Sequence, residues 1–385
     1  MLKHISVQNF KSFKDVSYDP VTLNVLMGLN GVGKSSFTQM LLLLKQINIG
    51  TRGVDFNDLP LNGEIISLGT LKDIQYCYST TDNITFEFSE DSSAVDNLRI
   101  VIYTKNVSPD RDKLDLHVSI KEASQKSENT YASFDNFLNW CKRIQYISAN
   151  RLGPQQEHFY YTSKIEEKNW GVCGENAVAY LAEYGNQKIP NIKLLFSEEL
   201  DPSLQTQVNA WMSTISPGTN IHADKMLSIS KTLLSVSFAK GIAQNKFRPQ
   251  NVGFGISYTL PLIIMLLTAK PGDCLIIENP EAHIHPKGQA EFGRLLALCA
   301  STGVQIFVET HSDHVVNGIR VAVKKKQIYR NDIKLVFFDR YESRNDNVYE
   351  QYTNIQTIKI DINGELSAYP DGFMDEWNNQ LIELL

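Results

Sequence analysis

The sequence predicts an α/β fold: a mixed sheet with an antiparallel β subdomain and a largely helical insertion. Near the amino terminus, a continuous apolar strand at 23–27 runs into a glycine-rich loop and then into an amphipathic helix at 36–45. Segment 84–120 alternates apolar and polar residues between polar turns, as in an antiparallel meander. Segments 274–277 and 304–308 are continuous apolar runs, typical of buried parallel strands. The α/β core is therefore expected to come from both ends of the chain.

Four segments are predicted along the 385 residues. An amino-terminal lobe with the glycine-rich loop and the β subdomain spans 1–120. A mainly helical insertion spans 121–245. A carboxy-terminal lobe follows at 246–345, and residues 346–385 form a tail that packs on the lobes.

Composition excludes several classes of protein. The chain is 42% hydrophobic and 21% charged, as in ordinary globular proteins. Its five cysteines are scattered without a C-x-x-C pair, which argues against zinc and disulfides and favours a reducing, cytoplasmic location. The apolar run at 256–269 is too short to span a bilayer, so it is predicted to be a buried helix and no membrane partner is expected. The net charge of −6 gives no global attraction to nucleic acid.

Residues 28–35, Gly-Leu-Asn-Gly-Val-Gly-Lys-Ser, fit the phosphate-binding pattern G-x-x-x-x-G-K-[ST]. The glycines let backbone N–H groups close around phosphates, and the start of the following helix favours an anion. The Lys34 ammonium suits the β- and γ-phosphates, and the Ser35 hydroxyl suits Mg²⁺. The predicted ligands are therefore ATP and Mg²⁺. The predicted nucleotide contacts in this loop are Asn30, Gly31, Gly33, Lys34, Ser35 and Ser36.

The apolar strand at 274–277 ends on Glu278, and Glu281 lies one short turn further on. Ligands gather at the carboxyl ends of strands in open α/β sheets. Glu278 is therefore predicted to bind Mg²⁺, directly or through water. The alternative is a pair of solvated acids at a strand-to-helix turn.

A second strand, 304–308, is followed by Glu-Thr-His-Ser at 309–312. His311 is predicted to donate a hydrogen bond to the γ-phosphate. A histidine with a purely structural role is the alternative, and it is the commoner reading of a histidine taken alone.

The order of these motifs resembles the ABC-type ATPases of the SMC, RecF and OLD group, a bacterial OLD-like ATPase above all. The resemblance is carried by Asn-Phe-Lys-Ser-Phe at 9–13, by Glu-Asn-Pro-Glu-Ala-His-Ile-His-Pro at 278–286 and by the histidine motif at 309–312. Asn-Val-Gly-Phe-Gly-Ile-Ser at 251–257 resembles the divergent signature of this group, and the segment 364–373 resembles the tail of a bacterial OLD-like subfamily. The implied fold is a P-loop NTPase head of the ABC type.

The resemblance implies a homodimer or higher homo-oligomer in which two heads enclose two ATP molecules. One subunit would supply Lys34, Ser35, Glu278 and His311. The other would supply the helix start with Gly253, Gly255 and Ser257. Taken without the other motifs, these glycines would only mark a loop before a buried helix.

One departure concerns hydrolysis. Most of the wider group has Asp-Glu at the end of this strand, whereas this chain has Glu278-Asn279. An amide is not a base near neutral pH. Either Glu281 takes over as the base, or hydrolysis is slow and the dimer is long-lived.

Two further residues have open roles. The group uses a glutamine that contacts Mg²⁺ and the attacking water, and Gln75 is the best-placed candidate; an ordinary strand residue is the alternative. Arg151, at a strand end before Gly-Pro, is predicted to serve a phosphate or a partner carboxylate, with a surface salt bridge as the alternative.

The chain lacks the acidic spacing of a Toprim nuclease domain and the heptads of coiled-coil arms. It is therefore expected to be a head-only ATPase that regulates a separately encoded effector, a nuclease or toxin, in bacterial anti-phage defence. One alternative is a RecF-like DNA clamp, for which Lys324-Lys325-Lys326 with Arg320 and Arg330 is the candidate DNA surface or else a solvated helix end. Another is an ATP-binding scaffold with little turnover.

Overall fold

The computed structural model describes residues 1–46, 59–81, 83–90, 99–103, 113–114, 117–121, 137–238, 245–345 and 348–384. The strands are β1 (Leu2–Phe10), β2 (Phe13–Tyr18), β3 (Leu23–Gly28), β4 (Leu59–Pro60), β5 (Thr85–Glu90), β6 (Arg99–Tyr103), β7 (Lys113–Leu114), β8 (His117–Lys121), β9 (Ile144–Ile147), β10 (Glu157–Phe159), β11 (Asn220–Met226), β12 (Lys231–Ser237), β13 (Cys274–Glu278), β14 (Gln305–Glu309), β15 (Ile333–Asn345) and β16 (Val348–Ile358). The helices are α1 (Lys34–Lys45), α2 (Leu71–Ile74), α3 (Thr162–Glu166), α4 (Ala177–Tyr184), α5 (Leu204–Ile215), α6 (Phe254–Thr268), α7 (Pro286–Ala300), α8 (Asp313–Lys324) and α9 (Glu376–Glu383).

The chain divides into two compact units. The first comprises Met1–Ile144, Lys334–Lys359 and Ala368–Leu385, and the second comprises Gln145–Ile333 and Ile360–Ser367. These units do not follow the four predicted segments, and that division of the chain remains a prediction. No helix among the described residues is long and apolar enough to cross a membrane.

The first unit contains the predicted antiparallel β subdomain. Its strands follow the order β2-β1-β5-β6-β8, and each neighbouring pair is antiparallel. The tight connection between β1 and β2 is Lys11-Ser12, because Phe10 pairs with Phe13. Parts of the predicted meander, including its turn at 108–110, lie outside the described residues.

The predicted strand, loop and helix near the amino terminus are present as β3, residues 28–33 and α1. In the same unit β3 lies beside β15, and β15 pairs with β16 in antiparallel register. Helix α1 is anchored by Phe37, which is fully buried against the rings of Tyr18 and Phe338, each with its ring centroid 5.8 Å away. Burying such a ring stabilises the fold by about 1.5–3 kcal/mol.

The predicted tail contains regular secondary structure. It includes the whole of β16 and ends in α9. Phe373 is buried with its ring 5.7 Å from Phe337. A Cβ built on Gly372 would lie 3.4 Å from a methyl carbon of Leu29, so the tail packs against the glycine-rich loop.

The second unit contains the predicted parallel strands. β13 and β14 pair in parallel with Glu278 opposite Glu309, and β9 borders β13. Helices α7 and α8 follow these strands, and Ser312 caps α8 by accepting hydrogen bonds from the backbone N–H groups of His314 and Val315, both at 3.1 Å. The apolar run at 256–269 forms α6, which is buried along most of its length and confirms that prediction.

The insertion contains a sheet as well as helices. Helices α3, α4 and α5 lie there with an antiparallel three-stranded sheet of order β10-β12-β11, which the sequence pattern did not predict. In β11 only Ile221 is buried, so the strand has no apolar alternation to detect. Residues 122–136 and 239–244 of the insertion lie outside the described residues.

Candidate nucleotide-binding site

The glycine-rich loop of the first unit is organised by Lys34. This side chain is 4% exposed. Its Nζ donates hydrogen bonds to the carbonyl oxygens of Gly28, at 2.9 Å, and Leu29, at 2.7 Å. The ammonium therefore lies inside the curve of the loop, at the start of α1. A compact cation and the amino end of a helix together make an anion site.

The far side of the loop is held by Ser12 and Thr353. The Thr353 hydroxyl donates to the Val32 carbonyl at 2.7 Å and lies 2.8 Å from the Ser12 hydroxyl. A Cβ on Gly33 would lie 2.5 Å from the Thr353 hydroxyl oxygen, and Gly33 has a φ of 110°. Only glycine meets both conditions without strain. The loop is thus pressed against β16 and the β1–β2 turn.

A cavity of about 360 Å³ opens beside this loop within the first unit. Its size falls in the range of small-ligand sites. Gln75 lines it together with Gly31, which brings two predicted site residues to one place. The Gln75 amide donates to the Thr81 carbonyl at 3.0 Å. The remaining lining residues are Lys11, Ser12, Val32, Asp73, Tyr76, Cys77, Tyr78, Arg340, Gln351, Tyr352 and Thr353.

Sequence reasoning missed Arg340 and the aromatic lining. Arg340 is exposed, and its guanidinium donates to the Gly31 carbonyl at 3.1 Å. Tyr76 and Tyr78 lie with ring centroids 5.6 Å apart. Lys11 and Ser12 could have been predicted as site residues, because they belong to the motif at 9–13 that carries the family resemblance. Arg340 and Tyr352 lie on the β15–β16 hairpin, which the sequence did not predict. No motif in the sequence identified either residue as part of a site.

In the second unit the Glu278 carboxylate is held at the end of β13. One of its oxygens accepts a hydrogen bond from the backbone N–H of Ala149 at 3.1 Å. Tyr146 also hydrogen-bonds to this carboxylate. Burial and then the charge of Glu278 raise the pKa of Tyr146 far above its usual value, so the phenol stays protonated as a donor.

Glu281 joins the ends of β13 and β14. Its two oxygens accept from the Thr310 hydroxyl at 2.8 Å and from the backbone N–H of His311 at 2.7 Å. The structure thus brings the predicted Glu281 and His311 together within the second unit. Both carboxylate oxygens of Glu281 are engaged in holding the backbone that carries the histidine.

The start of α6 packs on the same turn. A Cβ on Gly255 would lie 2.4 Å from the carbonyl oxygen of His283, so the helix approaches this turn too closely for any other residue. At Gly253 a Cβ would meet nothing within 4 Å. The Ser257 hydroxyl is buried and has no hydrogen-bond partner. Within one subunit, Gly253 is open at the helix start and Ser257 is covered.

Arg151 is not a surface residue, and its role toward a phosphate or a partner carboxylate stays a prediction. It is 3% exposed, so the surface salt bridge is wrong. Its guanidinium donates to the carbonyl oxygens of Ser148, at 3.0 Å, Glu278, at 2.7 Å, and Asn279, at 2.6 Å. These acceptors are backbone groups that a linear sequence cannot identify.

The residues present fit a nucleotide phosphate and a magnesium ion. The loop offers a buried ammonium, a helix start and a glycine cradle that a Cβ would fill. Within the first unit, the hydroxyl of Ser35 at the start of α1 is an oxygen ligand of the type that Mg²⁺ prefers. No group of three His, Cys, Asp or Glu side chains able to hold a metal occurs among the described residues. Such a group is not needed where phosphates complete the coordination.

Three family profiles match the chain. One described as an AAA ATPase domain covers residues 1–180. One whose description reads "AAA domain, putative AbiEii toxin, Type IV TA system" covers 178–317. A third, DUF3696, described as a protein of unknown function, covers 328–384. No curated protein matches the chain.

Solved SMC heads are similar in structure. The SMC head bound to the C-terminal winged-helix domain of ScpA has a TM-score of 0.52 at 12% identity, over 92% of this chain and 97% of that one. The SMC head from Thermotoga maritima has a TM-score of 0.45 at 11% identity, over 93% and 99%. The SMC head with an extended coiled coil, bound to the C-terminal domain of ScpA derived from Pyrococcus furiosus, has a TM-score of 0.46 at 14% identity, over 100% and 99%. The first of these likenesses shows a shared fold.

The fold and the loop around Lys34 define a P-loop protein of the α/β class. Within that class, residues 1–180 are similar to an AAA ATPase domain and residues 178–317 to an AAA domain, and the chain shares its fold with the ScpA-bound SMC head. The resemblance seen in the sequence is confirmed at this level. The narrower OLD-like assignment remains a prediction.

Proposed function

We propose that the chain binds ATP with Mg²⁺ and hydrolyses it, and that two copies join around the nucleotide. The observation that carries the proposal is the position of Lys34 inside the loop, beside a cavity lined by Gln75. Bound Mg²⁺ would neutralise charge on the phosphates, with Ser35 and Glu278 as its protein ligands.

The proposed roles of the other residues follow from their chemistry. Lys34 meets the β- and γ-phosphates, and Gln75 orients the attacking water. His311 donates a hydrogen bond to the γ-phosphate. Asn279 cannot accept the proton of that water, and both oxygens of Glu281 already accept hydrogen bonds, so slow turnover is proposed.

The test is phosphate release by the wild-type chain compared with Lys34→Ala. Loss of a donor to the transition state lowers turnover by about 10²–10³-fold. Lys188→Ala, at an exposed lysine of the second unit, is the control and should retain wild-type turnover. Equal phosphate release by the wild type and Lys34→Ala would remove the hydrolysis proposal while leaving an ATP-binding scaffold.

Dimerisation is tested separately. Glu278→Gln should still bind ATP but hydrolyse it poorly, so ATP and Mg²⁺ should double the mass measured by light scattering. A monomer under all nucleotide conditions would contradict the composite site. Control of a separate effector, a nuclease or toxin in bacterial anti-phage defence, is the biological role we propose, by analogy with the OLD-like ATPases that the sequence motifs resemble.

DNA binding is a second candidate function. Lys324, Lys325 and Lys326 are exposed at the end of α8, and Arg330 is exposed close by in the chain. Tyr329 between them is 82% exposed. Clustered cations with an exposed ring suit a nucleic-acid backbone and its bases.

A further inference from the structure

The turn after β13 is clamped from one side by a single buried cation. The Arg151 guanidinium donates to two consecutive carbonyl oxygens, those of Glu278, at 2.7 Å, and Asn279, at 2.6 Å. On the other side of the same turn, the Asn279 N–H donates to the Glu309 carbonyl at 2.8 Å. The peptide that follows Glu278 is therefore fixed from both sides.

This clamp holds an unusual backbone. Asn279 has a φ of 43°, in the left-handed region that non-glycine residues seldom adopt. Asparagine enters this region more readily than most other residues, so the turn uses a conformation that Asn279 tolerates. The bond from Arg151 to the Asn279 carbonyl helps to hold this conformation directly after Glu278, the last residue of β13.

The segment that carries Arg151 also holds the Glu278 carboxylate. Ala149 donates its N–H to a carboxylate oxygen at 3.1 Å, and Tyr146 hydrogen-bonds to the same group. Residues 146–151 thus bond to Glu278 at both its backbone and its side chain. The segment is itself fixed, since Ser148 N–H donates to the Val172 carbonyl at 2.9 Å.

Arg151 keeps its charge at neutral pH. Burial lowers the pKa of Arg151 to about 10, and the nearby Glu281 carboxylate and Tyr258 act in the opposite direction. The guanidinium lies 5.4 Å from the Tyr258 ring of α6. A charged guanidinium with carbonyl acceptors is a strong and directional support for a backbone turn.

We propose that Arg151 is a positioning residue, which holds the Glu278–Asn279 turn so that the Glu278 carboxylate is oriented for Mg²⁺. The part of this proposal that concerns Mg²⁺ rests on the proposed function. The hydrogen bonds from Arg151 to the backbone do not depend on it. Arg151 acts through Glu278 and is not assigned a contact with the nucleotide.

The experiment compares wild type, Arg151→Met, Arg151→Lys and the control Arg143→Met, whose arginine is exposed. Hydrogen–deuterium exchange is measured on nucleotide-free protein over residues 278–283. In Arg151→Met we expect exchange there to be at least tenfold faster, with residues 333–343 unchanged. Arg151→Lys should give an intermediate rate, because it keeps the charge but loses the planar fork. Unchanged exchange over 278–283 in a folded variant would overturn the clamp.

The second readout is the Mg²⁺ concentration that half-saturates phosphate release. Loss of a group that orients a metal ligand changes metal affinity by about 10–100-fold. We expect that shift in Arg151→Met, while binding of a fluorescent ATP analogue in EDTA stays within twofold. An unchanged Mg²⁺ requirement would overturn the role in positioning Glu278.

Failure of the proposed function is distinguishable from failure of this inference. If wild type releases no more phosphate than Lys34→Ala, the ATPase proposal fails, and exchange over 278–283 still decides whether Arg151 clamps the turn. If Arg151→Met does not fold, Arg151→Lys supplies both readouts.

Discussion

Glu281 and His311 are joined by a hydrogen bond of 2.7 Å from the histidine backbone N–H to a carboxylate oxygen. The other oxygen of Glu281 accepts from Thr310. A carboxylate with these two partners acts as a brace between strand ends. It is poorly placed to accept a proton from water, since protonation would weaken both bonds. This arrangement favours slow hydrolysis over the substitution of Glu281 for the missing base.

Removing this brace should cost stability as well as activity. Glu281→Ala should lower the free energy of unfolding by about 1–3 kcal/mol, because hydrogen bonds to a charged group are lost. Turnover should fall at least tenfold as His311 loses its support. Glu281→Gln should have a smaller effect, since its amide oxygen can still accept one bond. Urea unfolding of nucleotide-free protein and phosphate release measure the two effects. If Glu281→Ala keeps the wild-type free energy of unfolding but loses turnover, Glu281 acts as a general base and not as a brace.

The contact between α6 and the turn at His283 gives a matched pair of glycine substitutions. Gly255→Ala would place a methyl group 2.4 Å from the His283 carbonyl oxygen, and it should destabilise the chain by about 1–3 kcal/mol. Gly253→Ala meets nothing within 4 Å and should change stability by less than about 1 kcal/mol. Chemical denaturation decides between them. Equal stabilities would mean that the close approach is absent in solution.

Thr353 on β16 should stabilise the glycine-rich loop in the conformation that binds ATP. Thr353→Val removes the hydroxyl that donates to the Val32 carbonyl at 2.7 Å. A carbonyl left without its partner costs about 1–3 kcal/mol, so ATP binding should weaken several-fold. Thr357→Val, at an exposed position on the same strand, is the control. Titration with a fluorescent ATP analogue measures both, and identical affinities would show that the loop does not need this support.

The lysines at the end of α8 should carry any DNA affinity. Replacing Lys324, Lys325 and Lys326 by glutamate should abolish salt-dependent binding to a DNA duplex, because phosphate contacts make affinity fall steeply with salt. Lys188→Glu is the control for a general change of charge. Fluorescence anisotropy at two salt concentrations is the measurement. Unchanged binding and salt dependence in the triple variant would remove the DNA candidate at this surface.

Local patterns predicted the elements that carry chemistry. The strand, loop and helix around Lys34 have a fixed spacing, and the apolar strands that end near Glu278 and at Glu309 have continuous hydrophobic runs. Each of these patterns is formed by residues that are close together in the sequence, so each can be recognised without knowledge of the fold. The same reasoning correctly found the antiparallel strands and the buried helix α6.

The contacts made by backbone groups could not be predicted. Arg151 donates to carbonyls contributed by residues more than a hundred positions away, and every residue has a carbonyl. Arg340 and Thr353 reach the loop from β15 and β16, whose mixed composition has no marker for that role. Strand β11 was missed because its exposed residues remove the alternation on which detection depends.

The supports of the glycine-rich loop also set the order in which the protein can be made. Arg340 and Thr353 are separated from their loop partners by 309 and 321 residues along the chain. Domains generally fold as units during synthesis, and contacts between distant residues wait for the later residue to emerge. A ribosome must therefore translate past residue 353 before the loop can be finished. A translation product that ends before residue 340 would carry the loop around Lys34 without the contacts from Arg340 and Thr353.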